Sequence, residues 1–425
     1  MAAGRECFVY VQLPGTLETV VCGRYQRAET HAGIPMGRFV YGRSYRERID
    51  AVPLDPIHLP IAPTVYETTR LNGVFGALRD AAPDAWGRRV IERIVGRQDL
   101  DEVDFLLESP QDRAGALSFG RGSVPPAPVR EFNRVVQLTE LRRAAALIEE
   151  DRPGEPVPPQ ILDLLDPGSS LGGARPKNVV EDDAGLWIAK FPQRGDRWSN
   201  APVEAAMLSL AARCGIRVPE ARVERVGSES VLLVKRFDRE RVAGEDAHPG
   251  YLRHRMASAL TVLGADDAPT DRRGWSYVLL ADELQRWSAR PREDRAELFR
   301  RMVLNALICN VDDHPRNHAV IAPSREWRLA PVYDLTPNSR QGLEERRLAM
   351  ECGRLGRLAT RENFLSQSMR FGLRQDEANA IVDATAETVT RYWRGDVLRH
   401  GGSERDCELI EPAFTYPGFE YRTVR

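Results

Sequence analysis

Asp312-Asp313-His314-Pro315-Arg316-Asn317, followed by Asp334 inside Val332-Tyr333-Asp334-Leu335, is the stretch on which the reading of this chain turns. A carboxylate stands five positions before an amide, with an imidazole between them at His314, and a second carboxylate follows downstream. That pattern suits phosphoryl transfer, in which one carboxylate meets the attacking hydroxyl while an amide oxygen and another carboxylate hold magnesium against nucleotide phosphates. Asp312 is the candidate base, Asn317 and Asp334 the candidate magnesium ligands, and His314 a candidate contact to the γ-phosphate. A metal-hydrolase cluster of Asp312, Asp313, His314 and His318 is the competing reading. Only five other histidines exist, and none stands at a ligand spacing.

Outward from this loop, the upstream sequence supplies parts that a nucleotide site needs. Gly172 and Gly173, beside Ala174 and ahead of Lys177, form a glycine-rich turn in which backbone N–H groups can approach phosphate oxygens. It is neither a P-loop nor the glycine-rich loop of ordinary protein kinases. Lys190 lies in an alternating segment that reads as a strand, placed to meet the α- and β-phosphates as a point charge. The chain has only three lysines, Lys177, Lys190 and Lys235, amid abundant arginine, so a lysine kept at such a place carries weight. Glu204, on the helix expected next, is placed to pair with Lys190. Lys235, Arg236 and Phe237 close the last strand of this region as a hinge offering an apolar wall and backbone hydrogen bonds to a base.

Bulk properties set the frame. A chain of 425 residues implies two or three domains or lobes. Hydrophobic content of 42% and charged content of 29% describe an ordinary globular protein. The 60 basic and 62 acidic residues are dispersed, which gives no support to nucleic-acid binding through bulk charge. Six scattered cysteines without a C-x-x-C pair suggest neither a zinc site nor a disulfide framework. No stretch has the length and apolarity of a membrane span, and the alternating start lacks a signal-peptide run. The expectation is a soluble cytoplasmic protein.

Along the chain, residues 8–13, 20–25 and 38–41 read as strands between glycine and proline punctuation. Asp84 is placed to cap a helix over W-G-R-R-V-I-E-R-I-V. Two proline-rich stretches near residues 123–129 and 152–159 read as surface crossings, with a domain boundary between them or at the second. A hairpin spans N-V-V-E, a D-D-A-G turn and L-W-I-A-K-F-P. A helix is expected over 202–214 with Gly215 as its stop, then strands over 220–226 and 230–237. Beyond residue 250 helical periodicity dominates, as in 295–310.

Assembled in this order, the motifs resemble those of the HipA family of toxin kinases, and the resemblance covers nearly the whole chain. G-A-L-R-D-A-A-P-D-A-W-G-R-R-V at residues 76–90 is similar to a segment of that family's N-terminal subdomain, and S-S-L-G-G-A-R-P-K at 169–177 to its glycine-rich loop. W-I-A-K-F-P, V-E-A-A-M-L, V-K-R-F-D-R, D-D-H-P-R-N and V-Y-D-L resemble its lysine strand, glutamate helix, hinge, catalytic loop and metal segment. The loop has the D-x-H-x-x-N form of phosphoinositide-kinase-like enzymes.

The resemblance implies an α+β, two-lobed kinase-like fold, with an added β-rich N-terminal subdomain and an all-helical C-terminal lobe. It divides the chain into residues 1–125, a proline-rich connection at 126–160, a nucleotide-binding part at 161–240 and a helical lobe at 241–425. It implies ATP and Mg2+ as cofactors, and serine/threonine phosphorylation of a protein, in the family an aminoacyl-tRNA synthetase. It further implies a HipB-like helix-turn-helix antitoxin, operator DNA contacted mainly through that antitoxin, and inhibition by autophosphorylation at Ser170, with Ser169 as second candidate. Lys235 stands where the best-known member of that family has an acidic hinge residue, and Arg316 stands where a lysine of the catalytic loop occurs. The alternative is an antitoxin-binding co-repressor with incidental or small-molecule kinase activity. The P-G-F-E-Y tail at 417–421 suggests no function.

Overall fold

The computed structural model describes residues 5–127, 131–150, 164–165, 173–242, 250–268, 270, 272–339, 345–414 and 416–420. The chain divides into two compact units. The first comprises residues 1–191, 236–267 and 321–327, the second residues 192–235, 268–320 and 328–425.

The first unit is built on a five-stranded antiparallel sheet. Its strands β1 (Arg5–Gln12), β2 (Thr19–Glu29), β3 (Pro35–Tyr41), β4 (Val65–Thr68) and β5 (Leu117–Gly120) lie in the order β4-β3-β2-β1-β5. One sheet face carries the core, as the alternation predicts: Cys7, Val9, Tyr25, Phe39 and Phe119 are all buried. Phe39 meets Tyr41 edge-on at 4.8 Å between ring centroids, and Phe75 packs edge-on against Tyr25 and Phe39. The chain crosses β3 so closely at Gly73 that a Cβ on Gly37 would lie 1.8 Å from the Gly73 carbonyl oxygen. Tyr25 fastens this crossing by donating its hydroxyl to that same oxygen at 2.7 Å.

The expected helix runs over Ala85–Val95. Asp84 caps it by accepting from Gly87 N, and Gly96 ends it in a left-handed conformation. Between the two proline-rich stretches a further helix forms over Leu138–Glu149, burying Leu138, Leu141, Ala145 and Ile148 along one face. The hairpin pairs β6 (Lys177–Asp182) with β7 (Gly185–Lys190). A second hairpin, Arg239–Val242 with Gly250–Arg253, shows that strands continue past residue 250, beyond what apolar alternation signalled.

A buried ion network ties the Arg236–Arg239 segment to the loop at 112–115. Arg236 donates to Asp112, Asp238 and the Arg113 carbonyl, while Arg239 donates to Asp112, Asp238 and the Arg113 and Gly115 carbonyls. Burial alone would raise the Asp238 carboxyl, but the Arg236 and Arg239 charges outweigh it and hold that group well below the usual carboxylate range. Such a cluster survives burial because each charge has a counter-charge and fork geometry to meet it.

The second unit centres on the helix Asn200–Arg213, whose alanines and leucines are buried almost all round. Val203, Met207 and Leu210 pack with Leu304 from Pro291–Leu307, Val389 and Trp393 from Gln375–Arg399, and Ile410 from Glu404–Phe414. Strands β8 (Ala221–Val226) and β9 (Glu229–Lys235) form an antiparallel hairpin, and Leu232 and Val234 pack on Ala201 and Ala205. Gly215 stops the long helix with φ 72°. The C-terminal tail forms a turn over Pro417–Glu420: Phe419 is buried, meets Phe364 at 5.8 Å, and Glu420 pairs with Arg361. Among the described residues no helix is long and apolar enough to cross a membrane.

Candidate functional site

In the second unit, the helix Pro291–Leu307 delivers the chain to Cys309, which takes a left-handed φ of 56° and turns it into the hexapeptide. His314 N donates to the Asp312 carbonyl at 2.8 Å, and Pro315–Asn317 closes a short 3-10 turn with Pro315 at its start. Asp312 is exposed, whereas its neighbour Asp313 is fully buried. Asp313 Oδ2 accepts from the Tyr277 hydroxyl, from Asn305 Nδ2 at 2.7 Å, and meets His318 Nε2 at 2.7 Å. Burial, reinforced by the Asp313 charge, pushes the Tyr277 phenol well above its ordinary value, so it remains a donor. The two adjacent aspartates thus divide: one faces solvent and the other pins the loop from beneath. Sequence spacing offered no way to separate them beyond the D-x-H-x-x-N register.

Asn317 is buried and donates Nδ2 to the Asp312 carbonyl at 3.3 Å. Its Oδ1 has no hydrogen-bond partner among the described residues. A buried acceptor left over in this way calls for a donor or a cation. Asp334 takes φ 60°, a conformation that costs a non-glycine residue about 1–2 kcal/mol, although Asp tolerates it better than most. Two bonds join its segment to the loop: Tyr333 donates its hydroxyl to the Arg316 carbonyl at 2.7 Å, and Asn338 N donates to the Cys309 carbonyl at 3.1 Å. The structure therefore brings the segments of Asn317 and Asp334 together. His314 lies edge-on to Trp275 at 6.3 Å. His318 is engaged with Asp313, and among the described residues no three His, Cys, Asp or Glu side chains gather as metal ligands. The hydrolase reading has no support in this arrangement.

In the first unit, Gly173 has φ 102°, which glycine alone adopts without strain. Gly173 and Ala174 are exposed; Gly172, Ser169 and Ser170 lie outside the described residues. Lys177 is buried, with Nζ bonded to Asp84 Oδ2 and, at 3.2 Å, to the Gly173 carbonyl. Trp86 Nε1 donates to the Lys177 carbonyl at 3.0 Å. The ammonium expected at the nucleotide thus anchors the glycine turn to the cap of the Ala85–Val95 helix. Lys190, its register partner, is half-buried.

At the expected hinge, Lys235 pairs with Glu220 on the second unit's surface at 3.0 Å. The Arg236 guanidinium is held in the buried network described above, and Arg236 N donates to the Leu186 carbonyl at 2.9 Å. Phe237 is half-buried, and Glu204 is buried on the helix Asn200–Arg213. Asp84, Asp112, Asp313 and Tyr277 are the residues that sequence reasoning passed over as supports. Asp84 had been marked only as a cap, and Asp313 only as part of the hydrolase reading.

Comparison with known proteins agrees with this arrangement of motifs. Residues 169–393 match the model of the HipA-like C-terminal domain, and residues 18–120 that of the HipA N-terminal domain. A Sinorhizobium fredii (strain NBRC 101917 / NGR234) protein named "Putative kinase Y4mE" is 26% identical over 378 residues, covering 83% of this chain and 86% of that protein. A second from the same strain, "Putative kinase Y4dM", is 26% identical over 50% of this chain and 52% of its own length. Among solved structures, a chain from the Shewanella oneidensis MR-1 toxin–antitoxin complex of HipA, HipB and operator DNA matches with a TM-score of 0.65. It shares 18% identity, and the match covers 97% of this chain and 98% of the other. That likeness gives the fold: α+β, two-lobed and kinase-like. With both family domains matched in order, the chain belongs to the HipA family.

Proposed function

We propose that this protein is an ATP-dependent serine/threonine protein kinase acting as the toxin of a toxin–antitoxin pair. The observation that carries the reading is the buried, unpartnered Oδ1 of Asn317, in a loop bonded to the segment of a left-handed Asp334. An amide oxygen and a carboxylate are the donor set that magnesium takes when substrate phosphates complete its shell, so these residues fit the metal. When bound, Mg2+ and ATP supply a phosphoryl group with its charge neutralised for in-line transfer.

The chain's own residues then divide the work. Asp312, exposed beside this pair, orients the acceptor hydroxyl and takes its proton. Asn317 and Asp334 present oxygen ligands, and His314 and Arg316 contribute hydrogen bonds and charge toward the transferred phosphate. Gly172, Gly173 and Ala174 offer backbone N–H groups, and Lys177 fixes the turn through the Gly173 carbonyl. Lys190 neutralises the α- and β-phosphates. The 235–237 stretch receives the base through its backbone and Phe237, since the Arg236 side chain is committed elsewhere.

In this reading the acceptor is a serine of an aminoacyl-tRNA synthetase, activity is shut off by phosphorylation at Ser170 or Ser169, and a HipB-like antitoxin carries the complex to operator DNA. The structural neighbour's assembly with HipB and operator DNA supports the antitoxin and operator part of this reading. The test is phosphoproteomics and growth of cells expressing wild type or Asp312→Ala. Growth arrest with a single new phosphoserine, lost in the variant, is expected. Equal toxicity of both forms would refute the kinase mechanism, and tight antitoxin and operator binding without phosphotransfer would favour a co-repressor.

A further inference from the structure

Beside the catalytic loop, within the second unit, three arginines from two distant stretches of sequence meet. Arg272 belongs to R-R-G-W at residues 272–275, and Arg347 and Arg357 to R-R-L-A-M-E-C-G-R-L-G-R at 346–357. Backbone pairing brings the two stretches together: Tyr277 N donates to the Glu351 carbonyl at 2.9 Å, and Glu351 N to the Trp275 carbonyl at 2.8 Å. The second stretch folds back on itself, with Leu348 N donating to the Arg357 carbonyl at 2.9 Å and Arg347 opposite Leu358. The Arg272 guanidinium lies over the Trp275 ring at 5.6 Å, and that ring meets His314 of the catalytic loop at 6.3 Å. Arg347 is exposed, while Arg272 and Arg357 are half-buried.

We propose that Arg272, Arg347 and Arg357 form a docking surface for a carboxylate-rich segment of the protein that the neighbouring loop phosphorylates. The partner's place as an acceptor rests on the kinase reading; its charge follows from the surface itself. Burial, then the charges of Arg272 and Arg347, hold the Arg357 guanidinium below its ordinary value, and each of those charges acts on it more strongly than Glu351 does. The potential here is therefore positive. Glu345 pairs with Arg347 at 2.8 Å, but both side chains are more than half exposed, and so open a pair yields readily to a competing carboxylate. Planar guanidinium forks match carboxylates two bonds at a time. A basic segment would meet the repulsion that Arg357 already registers. Single-stranded nucleic acid is gripped by aromatic faces on which bases stack, and Trp275, 4% exposed with Arg272 over its ring, is not such a platform. The nucleotide's own phosphates have Lys190 and the metal pair of Asn317 and Asp334 in the kinase reading.

Fluorescence anisotropy of the full chain with labelled decaglutamate, decaglutamine and an RNA decamer tests this surface. Saturable binding of decaglutamate is expected, weakening as salt rises, with decaglutamine weaker by about tenfold or more. Arg272→Gln combined with Arg357→Gln should weaken decaglutamate by about tenfold. Arg272→Lys with Arg357→Lys keeps the charge and should retain most of the binding. Arg391→Gln, an exposed change on the helix Gln375–Arg399, should alter nothing, and Mg2+ with ATP should not displace the peptide. Absence of saturable decaglutamate binding, unchanged binding in the folded double glutamine variant, an equal loss in Arg391→Gln, or displacement by ATP overturns the proposal. Tighter binding of the RNA decamer, lost in the same double variant, overturns it in favour of a nucleic-acid partner. Should the double variant fail to fold, the exposed Arg347→Glu decides: it reverses one charge of the surface, and undiminished decaglutamate binding overturns the proposal equally. Docking of the peptide requires no phosphotransfer. A chain that docks decaglutamate without transferring phosphate sinks the kinase reading alone, and one that transfers phosphate without docking sinks this proposal alone.

Discussion

Lys177 and Lys190 are register partners across the β6–β7 hairpin, and Asp84 takes the charge of one of them. Like charges directly opposite on a sheet repel, and the Asp84 carboxylate offsets that repulsion at Lys177. The same Asp84 carboxylate caps the Ala85–Val95 helix through its other oxygen. One side chain therefore sets a helix start, a strand and, through the Gly173 carbonyl, the glycine turn. Asp84→Asn preserves the cap but strands a buried ammonium, and is expected to cost about 3–5 kcal/mol in urea unfolding. Adding Lys177→Met should return most of that loss, because both members of the pair are then gone.

The Asp238 cluster gives a pH signature with a definite sign. Its carboxyl is held below the ordinary value of about 4, so its contribution is complete above that pH and is lost as pH falls toward the depressed folded value. Wild type should lose stability on acidification below about pH 4. Asp238→Asn should be less stable at neutral pH by about 3–5 kcal/mol and show a flatter acid limb, read from denaturation at a series of pH values.

Asn317→Ala removes the unpartnered oxygen and leaves the turn's backbone bonds in place. Phosphotransfer by the purified chain should fall by about a hundredfold or more, with a higher Mg2+ requirement. An unchanged metal dependence would take Asn317 out of the ligand set.

Asp334 holds its left-handed backbone at an energetic cost. Asp334→Gly relieves that strain and should leave the chain as stable as wild type or about 1 kcal/mol more so, while phosphotransfer is lost. Loss of stability together with activity would mean that Asp334 supports the fold rather than the chemistry.

Asp313→Leu leaves Tyr277, Asn305 and His318 without their shared acceptor. Each buried donor left unsatisfied costs about 1–3 kcal/mol, so the thermal midpoint should drop markedly. Tyr277→Phe removes a single donor and should cost about 1 kcal/mol, which separates the loop's support from its exposed chemistry at Asp312.

The sequence made some of this legible and could not have made the rest so. The hexapeptide, the Asp84 cap, the Gly215 stop and the β6–β7 and β8–β9 strands obey local rules of turn, cap and alternation chemistry, and local rules can be read from neighbours. The carboxylate that meets Lys177 lies 93 positions away, and Asp112, which meets Arg236, lies 124 away, and no spacing encodes such meetings. The helix Leu138–Glu149 was overshadowed by the prolines on either side, although Leu138, Leu141, Ala145 and Ile148 recur at helical intervals. The strand Gly250–Arg253 is short and only half-buried, which erases the alternation that betrays longer ones. The tail at Pro417–Glu420 gave no motif because its role is packing, through Phe419 against Phe364.

The two bonds that join the Asp334 segment to the loop end on the carbonyls of Arg316 and Cys309. Both acceptors are main-chain carbonyls, so these two bonds read the path of the loop rather than its side chains. Of the two donors only Tyr333 must bring a side-chain group, so the clasp's vulnerable half is a single phenolic hydroxyl, while Asn338 contributes a main-chain N–H that a substitution there would retain.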